Sequence, residues 1–90
     1  MRTIVLDGTL KFMHRRVGQP GDHLEVSDGT TVLKIPIAEA RDLADRIKAD
    51  GSRLVDSFIL EKECTLEGGE RVLLNMNGAQ ANALKGAAYA

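Results

Sequence analysis

The sequence predicts an α+β fold, with a mainly antiparallel sheet and both helices on one face. Three observations predict it. Asp-Gly or Gly-Gly pairs at 7–8, 28–29 and 68–69 interrupt runs of alternating apolar and polar residues, the pattern of β-hairpins. Apolar residues at helical spacing follow the second and third of these, over 37–50 and 78–88. The stretch LEVSDGTTVLKIPIAEARDLADRI at 24–47 also has a weaker copy, TLEGGERVLLNMNGAQANALKGAA, at 65–88. The expected order is β-β-β-β-α-β-β-α, in a single domain over residues 1–90, with ββα units at 24–50 and 58–88 that are either a duplication or two instances of a common unit.

Residues 2–6 and 9–17 read as the first hairpin, closed by Asp7-Gly8. A two-residue loop sets Val5 opposite Leu10 and Thr3 opposite Phe12. Side chains alternate along a strand, so Val5, Leu10, Phe12 and Thr3 share one face. Arg2, Ile4, Leu6, Lys11, Met13 and Arg15 share the other, which mixes apolar and basic residues and is the candidate interaction surface. The loop at 18–22, GQPGD, joins this hairpin to the central one.

In the central hairpin a type I′ loop at Asp28-Gly29 pairs Ser27 with Thr30 and Leu24 with Leu33. Leu24, Val26, Leu33 and Ile35 then form an apolar face with Thr31. Glu25, Ser27, Thr30 and Lys34 form a polar one with Val32. Pro36 ends the strand because it has no N–H for a ladder. The helix at 37–50 has an apolar stripe of Ala40, Leu43, Ala44 and Ile47. Its charges form the i,i+4 pairs Arg41/Asp45 and Asp42/Arg46 on a solvated face, and Gly51 suits the residue after its end.

Residues 53–66 make a long strand-like run, with Phe58, Leu60, Cys64 and Leu66 on one face beside Lys62. A two-residue turn at Gly68-Gly69 would oppose Glu67 and Glu70. A three-residue loop, Gly68 to Glu70, pairs Glu67 with Arg71 instead and is preferred. Asn77 and Gln80 have the spacing of a capping box that opens the second helix. Gly86 softens that helix near its end. The turn glycines repeat at an offset of 40 and the helices at 41, a slip that a bulge residue would explain.

Composition sets bounds on function. Apolar residues make up 43% of the chain and charged ones 28%, with a net charge of −1. These values are ordinary for a globular domain and give no global attraction to nucleic acid or anionic membranes. One Tyr, two Phe and no Trp leave few stacking surfaces. The single cysteine, Cys64, excludes a disulfide framework and reads as a small buried hydrophobe. The first residues, MRTIVLDGTLKF, do not resemble a signal peptide. No apolar run approaches the ~18 residues of a span, so the chain is expected in the cytoplasm with no membrane partner.

Candidate chemistry is sparse. His14 and His23 have no metal-ligand spacing and read as surface or rim residues. Ser27, Ser52, Ser57 and Cys64 lack a nucleophile motif, and no glycine-rich phosphate loop occurs. Glu61, Glu63, Glu67 and Glu70 read as an acidic, solvated hairpin. No catalytic residue, metal or cofactor is expected, and the chain is not read as an enzyme. The favoured reading is a non-catalytic module that binds a larger protein partner or itself as a homodimer. Small α+β chains of this kind are often accessory or inhibitory proteins of phages and other mobile elements. The alternative is a small nucleic-acid-binding regulator using Arg2, Lys11 and Arg15 of the first hairpin. The third is a structural subunit of a larger assembly.

Overall fold

The computed structural model describes residues 1–51, 55 and 57–90. Its elements are β1 (Arg2–Val5), β2 (Lys11–Arg15), β3 (His23–Ser27), β4 (Val32–Pro36), α1 (Ile37–Lys48), β5 (Ile59–Thr65), β6 (Arg71–Asn77) and α2 (Gly78–Ala88). The order and the α+β class are those expected. Ser52, and Arg53, Leu54 and Asp56 in the expected run at 53–66, lie outside the described residues.

The strands form two sheets, ordered β2-β3-β4 and β1-β6-β5. The first hairpin of the sequence reading does not form. Its two halves part company: β1 pairs with β6 in parallel, and β2 pairs with β3 antiparallel. Burial explains the separation. The hairpin register would have placed Ile4 and Leu6 beside Lys11 and Arg15, on the opposite face from Leu10 and Phe12. With the strands in different sheets, Ile4, Leu6 and Leu10 are all buried and Phe12 packs against the core. Each such aliphatic side chain stabilises by roughly 1.5–3 kcal/mol when buried. Asp7-Gly8 serves as a link between sheets. The Leu6 N–H donates to the Asn75 carbonyl at 2.9 Å, the Asp7 N–H to the Asp28 carboxylate at 3.0 Å, and the Gln80 amide to the Gly8 carbonyl at 2.8 Å.

The central hairpin forms with its register displaced. Ser27 faces Val32, Val26 faces Leu33 and Leu24 faces Ile35, so the loop spans 28–31. A type I′ turn needs positive φ at both Asp28 and Gly29, and of the two only Gly29 has it, at 91°. Asp28 acts through its side chain, accepting from the N–H groups of Thr30 and Thr31 at 2.9 and 2.7 Å. The displacement preserves side-chain parity, so Leu24, Val26, Leu33 and Ile35 still face the core.

The third hairpin shows the same kind of shift. Thr65 faces Arg71, Cys64 faces Val72, and the Leu66 N–H donates to the Glu70 carbonyl at 2.8 Å. The loop is therefore Glu67 to Gly69, with φ of 92° and 95° at Gly68 and Gly69. It has the expected length one residue earlier, again with the faces preserved. Pairing along β5–β6 is continuous, so no bulge explains the offset between the repeats. The third hairpin has strands of 7 residues where the central one has 5, and a shorter loop.

Both helices meet the core as their patterns require. Ala40, Leu43, Ala44 and Ile47 of α1 are buried, and α1 packs on β3, β4 and β5. It therefore bridges the two sheets. Of its two expected ion pairs, Asp42–Arg46 is present at 3.0 Å. Arg41 instead donates to the Ala88 carbonyl at 3.1 Å and lies over the Tyr89 ring. Gly51 has the left-handed φ that suits a helix exit, 61°, but α1 ends earlier, at Lys48. The Asn77/Gln80 capping box of α2 is complete, with both bonds at 2.8 Å. α2 packs on β5, β6 and α1. No helix among the described residues is long and apolar enough to cross a membrane.

Candidate interaction surface

Alternation along β2 places Lys11, Met13 and Arg15 on the face turned from the core. The ladder aligns them with the polar face of the central hairpin. Lys11 lies across from Ser27 and then Val32, and Met13 across from Glu25 and then Lys34. Arg15 lies across from His23 and donates to Glu25 at 3.3 Å. Three cations thus share the face with one carboxylate on the central strand and with two bare apolar side chains on opposite edge strands, Met13 and Val32, which are 50% and 57% exposed. A shallow hollow of about 130 Å³ lies beside them, lined by Lys11, Phe12, Met13, Glu25 and Ser27.

Of the six residues of the sequence-derived surface, the structure brings together these three. Ile4 and Leu6 are in the core, 7% and 6% exposed, and do not contribute to any surface patch. Arg2 is exposed at the far end of β1 and forms an ion pair with Glu70 at 3.0 Å. Glu25, Val32 and Lys34 complete the face. Their common orientation was legible in the alternation of the central hairpin, but their place beside β2 was not, because the Asp-Gly at 7–8 paired β2 with β1.

The second sheet has an outer face of a different character. Thr3 aligns with Leu73 and Glu63, Val5 with Asn75 and Glu61, and Ile59 with Asn77. Val5 is 66% exposed and Ile59 55%. Arg71 is engaged by Glu63 at 3.2 Å and Thr65 at 2.9 Å. A groove of about 500 Å³ runs between the sheets, lined by Arg2, residues 31–34 and residues 66–68. There the Glu67 N–H donates to the Lys34 carbonyl at 2.8 Å and closes part of the β4 edge.

No family model matches the chain, and no curated protein and no solved structure matches it either. His14 Nε2 meets the Asp22 carboxylate, which also accepts the Gly18 N–H at 2.8 Å. The Gly18 bond, followed by His14, holds the Asp22 carboxyl below the usual carboxylate range. His23 is not at the surface as expected: it is 7% exposed. Its Nδ1 donates to the Gly21 carbonyl at 2.7 Å, and Glu67 lies 3.6 Å away. The Cys64 thiol is buried, and burial pushes its pKa up to about 11, so it stays neutral. Glu63 and Glu70 of the acidic hairpin are paired with Arg71 and Arg2. Among the described residues no three His, Cys, Asp or Glu side chains group as a metal site.

Proposed function

We propose that the chain is a non-catalytic protein-interaction module that works through the helix-free side of its two sheets. The observation that supports this best is Met13, half exposed on the edge strand β2 between Lys11 and Arg15, with Glu25 beside it and Lys34 one strand beyond. An exposed, adaptable apolar side chain flanked by charges suits a protein contact. Val32 is a second bare apolar side chain on the same face, on the opposite edge strand β4.

The test uses the tagged chain as bait in a native lysate, with and without nuclease, beside the variant Met13→Asp. The expected result is a nuclease-resistant protein retained by the wild type and lost by the variant. Equal retention by both sinks the reading, because Met13 would then contribute nothing to binding.

One observation favours a second reading, a small nucleic-acid-binding regulator. Lys11 and Lys34 have no ion-pair partner among the described residues and share a face with Arg15. Free cations on a strand face suit phosphate oxygens. In that case retention depends on nuclease-sensitive material, falls steeply with salt, and suffers more from Lys11→Glu than from Met13→Asp.

A further inference from the structure

The helix-free side has two parts of unlike charge. On the first sheet Lys11, Arg15 and Lys34 outnumber Glu25. On the second, Glu61 and Glu63 outnumber Arg71, which Glu63 already engages. Each part also has bare apolar side chains, Met13 and Val32 on one and Val5 and Ile59 on the other. Each part is the face of its sheet turned from the helices, since α1 packs on strands of both sheets and α2 packs against α1 and the second sheet.

We propose that the occupant of this side is a second copy of the chain, in a two-fold pair that lays the basic face of each copy on the acidic face of the other. The inference rests on the reading of the helix-free side as an interface and names what covers it. Charge complementarity is its first support, since one chain holds both halves of the match. The net charge of −1 leaves little repulsion between copies.

Edge pairing is the competing route to self-association. Joining β2 to β2 antiparallel about Met13 brings Lys11 of one copy opposite Arg15 of the other, and like charges facing across a ladder oppose it. Size favours the reciprocal arrangement over a single contact. A three-stranded face of this length measures roughly 14 by 20 Å. One contact then buries about 600 Å² in total and two bury about 1,200 Å², the lower end for specific complexes.

The experiment is sedimentation of the whole chain and of two charge-swapped variants, Lys11→Glu/Lys34→Glu and Glu61→Lys/Glu63→Lys, each checked for native circular dichroism. The first variant makes both faces acidic and the second makes both basic. The expected result is a wild-type dimer at about 50 μM that splits as salt is raised to about 0.5 M. Each variant alone is a monomer, and an equimolar mixture restores a one-to-one dimer. Val5→Lys, at an exposed position, is the second probe: it leaves the fold intact, sets a cation against the partner's basic face and gives a monomer. A wild-type monomer overturns the proposal. So does a mixture of folded variants that stays monomeric, or assembly that grows beyond a dimer. A monomeric wild type that still retains a Met13-dependent protein removes the dimer and leaves the interface reading standing. If Met13→Asp retains all that the wild type retains, the interface reading fails as well.

Discussion

The two ββα units, β3-β4-α1 and β5-β6-α2, share an order and stand on different supports. α1 has six charged residues, and its four core residues include Leu43 and Ile47. Its N-cap, Pro36, makes no side-chain capping bond. α2 has one charge, Lys85, and apart from Leu84 its buried residues are Gly78, Gln80, Ala81 and Ala88. It begins with a complete capping box. The first helix is thus held by two large side chains, Leu43 and Ile47, set beside Ala40 and Ala44. The second is held by one leucine, close packing of small residues and its cap. Similar topology does not mean similar fragility, and the substitutions below separate the two.

The largest effect is expected from Leu84→Ala. Both Leu84 and Leu43 are 0% exposed, and truncation of either costs about 2–5 kcal/mol. Leu84 is the sole large aliphatic side chain of α2, whereas Ile47 stays in place when Leu43 is cut. Denaturant melts should therefore place Leu84→Ala at or below Leu43→Ala in stability. Amide exchange should show α2 losing protection ahead of the sheets. If Leu43→Ala is clearly the more damaging, α2 does not depend on its leucine and the contrast between the units fails.

Gln80→Ala comes next, at about 1–3 kcal/mol. Gln80 is buried and has three roles: its N–H bonds Asn77, its side-chain oxygen accepts from the Asn77 N–H, and its side-chain amide donates to the Gly8 carbonyl. Gln80→Glu keeps the acceptor and loses the donor. If Glu recovers most of the stability, the cap dominates. If it recovers little, the tie to the β1–β2 link matters more. α1 offers no equivalent, since its start has no side-chain cap to remove.

That tie shows where sequence reasoning reached and where it stopped. Local signals were sufficient for the central unit. Alternation identified Leu24, Val26, Leu33 and Ile35, helical spacing identified Ala40, Leu43, Ala44 and Ile47, and the Asn77/Gln80 spacing identified the cap. Errors of loop placement at 28–31 and 67–69 did no harm to the faces, because each shifted the pairing by an even number of residues. The N-terminal strands failed for a different reason. The pairing of β1 with β6 joins residues about 70 positions apart, and nothing local competes with an Asp-Gly that looks like a turn. The decisive quantity was the burial of Ile4, Leu6 and Leu10 together, and it depends on two sheets that no window of sequence contains. The candidate surface inherited the error: Lys11, Met13 and Arg15 were recovered, Ile4 and Leu6 were misplaced, and Lys34, read on the correct polar face of the central hairpin, was not joined to β2.

Acid should act on the first unit through Asp28. Hydrogen bonds from the Thr31, Thr30 and Asp7 N–H groups hold its carboxyl below the usual carboxylate range. A folded-state pKa below the unfolded one means that the stabilisation is complete above the unfolded value, about pH 4. It is lost as pH falls through the lower folded value. Urea midpoints for the wild type should decline below about pH 4. Asp28→Asn should start lower at neutral pH and decline less. A variant with the wild-type acid slope would move the proton-linked term away from this turn, with Asp22 as the next group to change.

The smallest effect is a gain. Gly86 lies inside α2, has no positive φ, and an added Cβ would have no atom within 4 Å. Alanine there removes backbone entropy from the unfolded chain without strain, worth about 0.5–1 kcal/mol. Gly29 in the first unit gives the opposite control, since its φ of 91° makes alanine costly despite open space around it. The outcome bears on what holds the end of α2. Two tertiary ties meet there: Arg41 on the Ala88 carbonyl, and the Tyr89 hydroxyl, which donates to Asp45 at 2.8 Å. A gain near the full helix-propensity value means that the last turn is limited by its own backbone. A gain near zero means that α1 already holds it through Arg41 and Asp45. In that case Arg41→Ala should make Gly86→Ala more stabilising than it is in the wild type, a coupling that a double-mutant cycle measures directly.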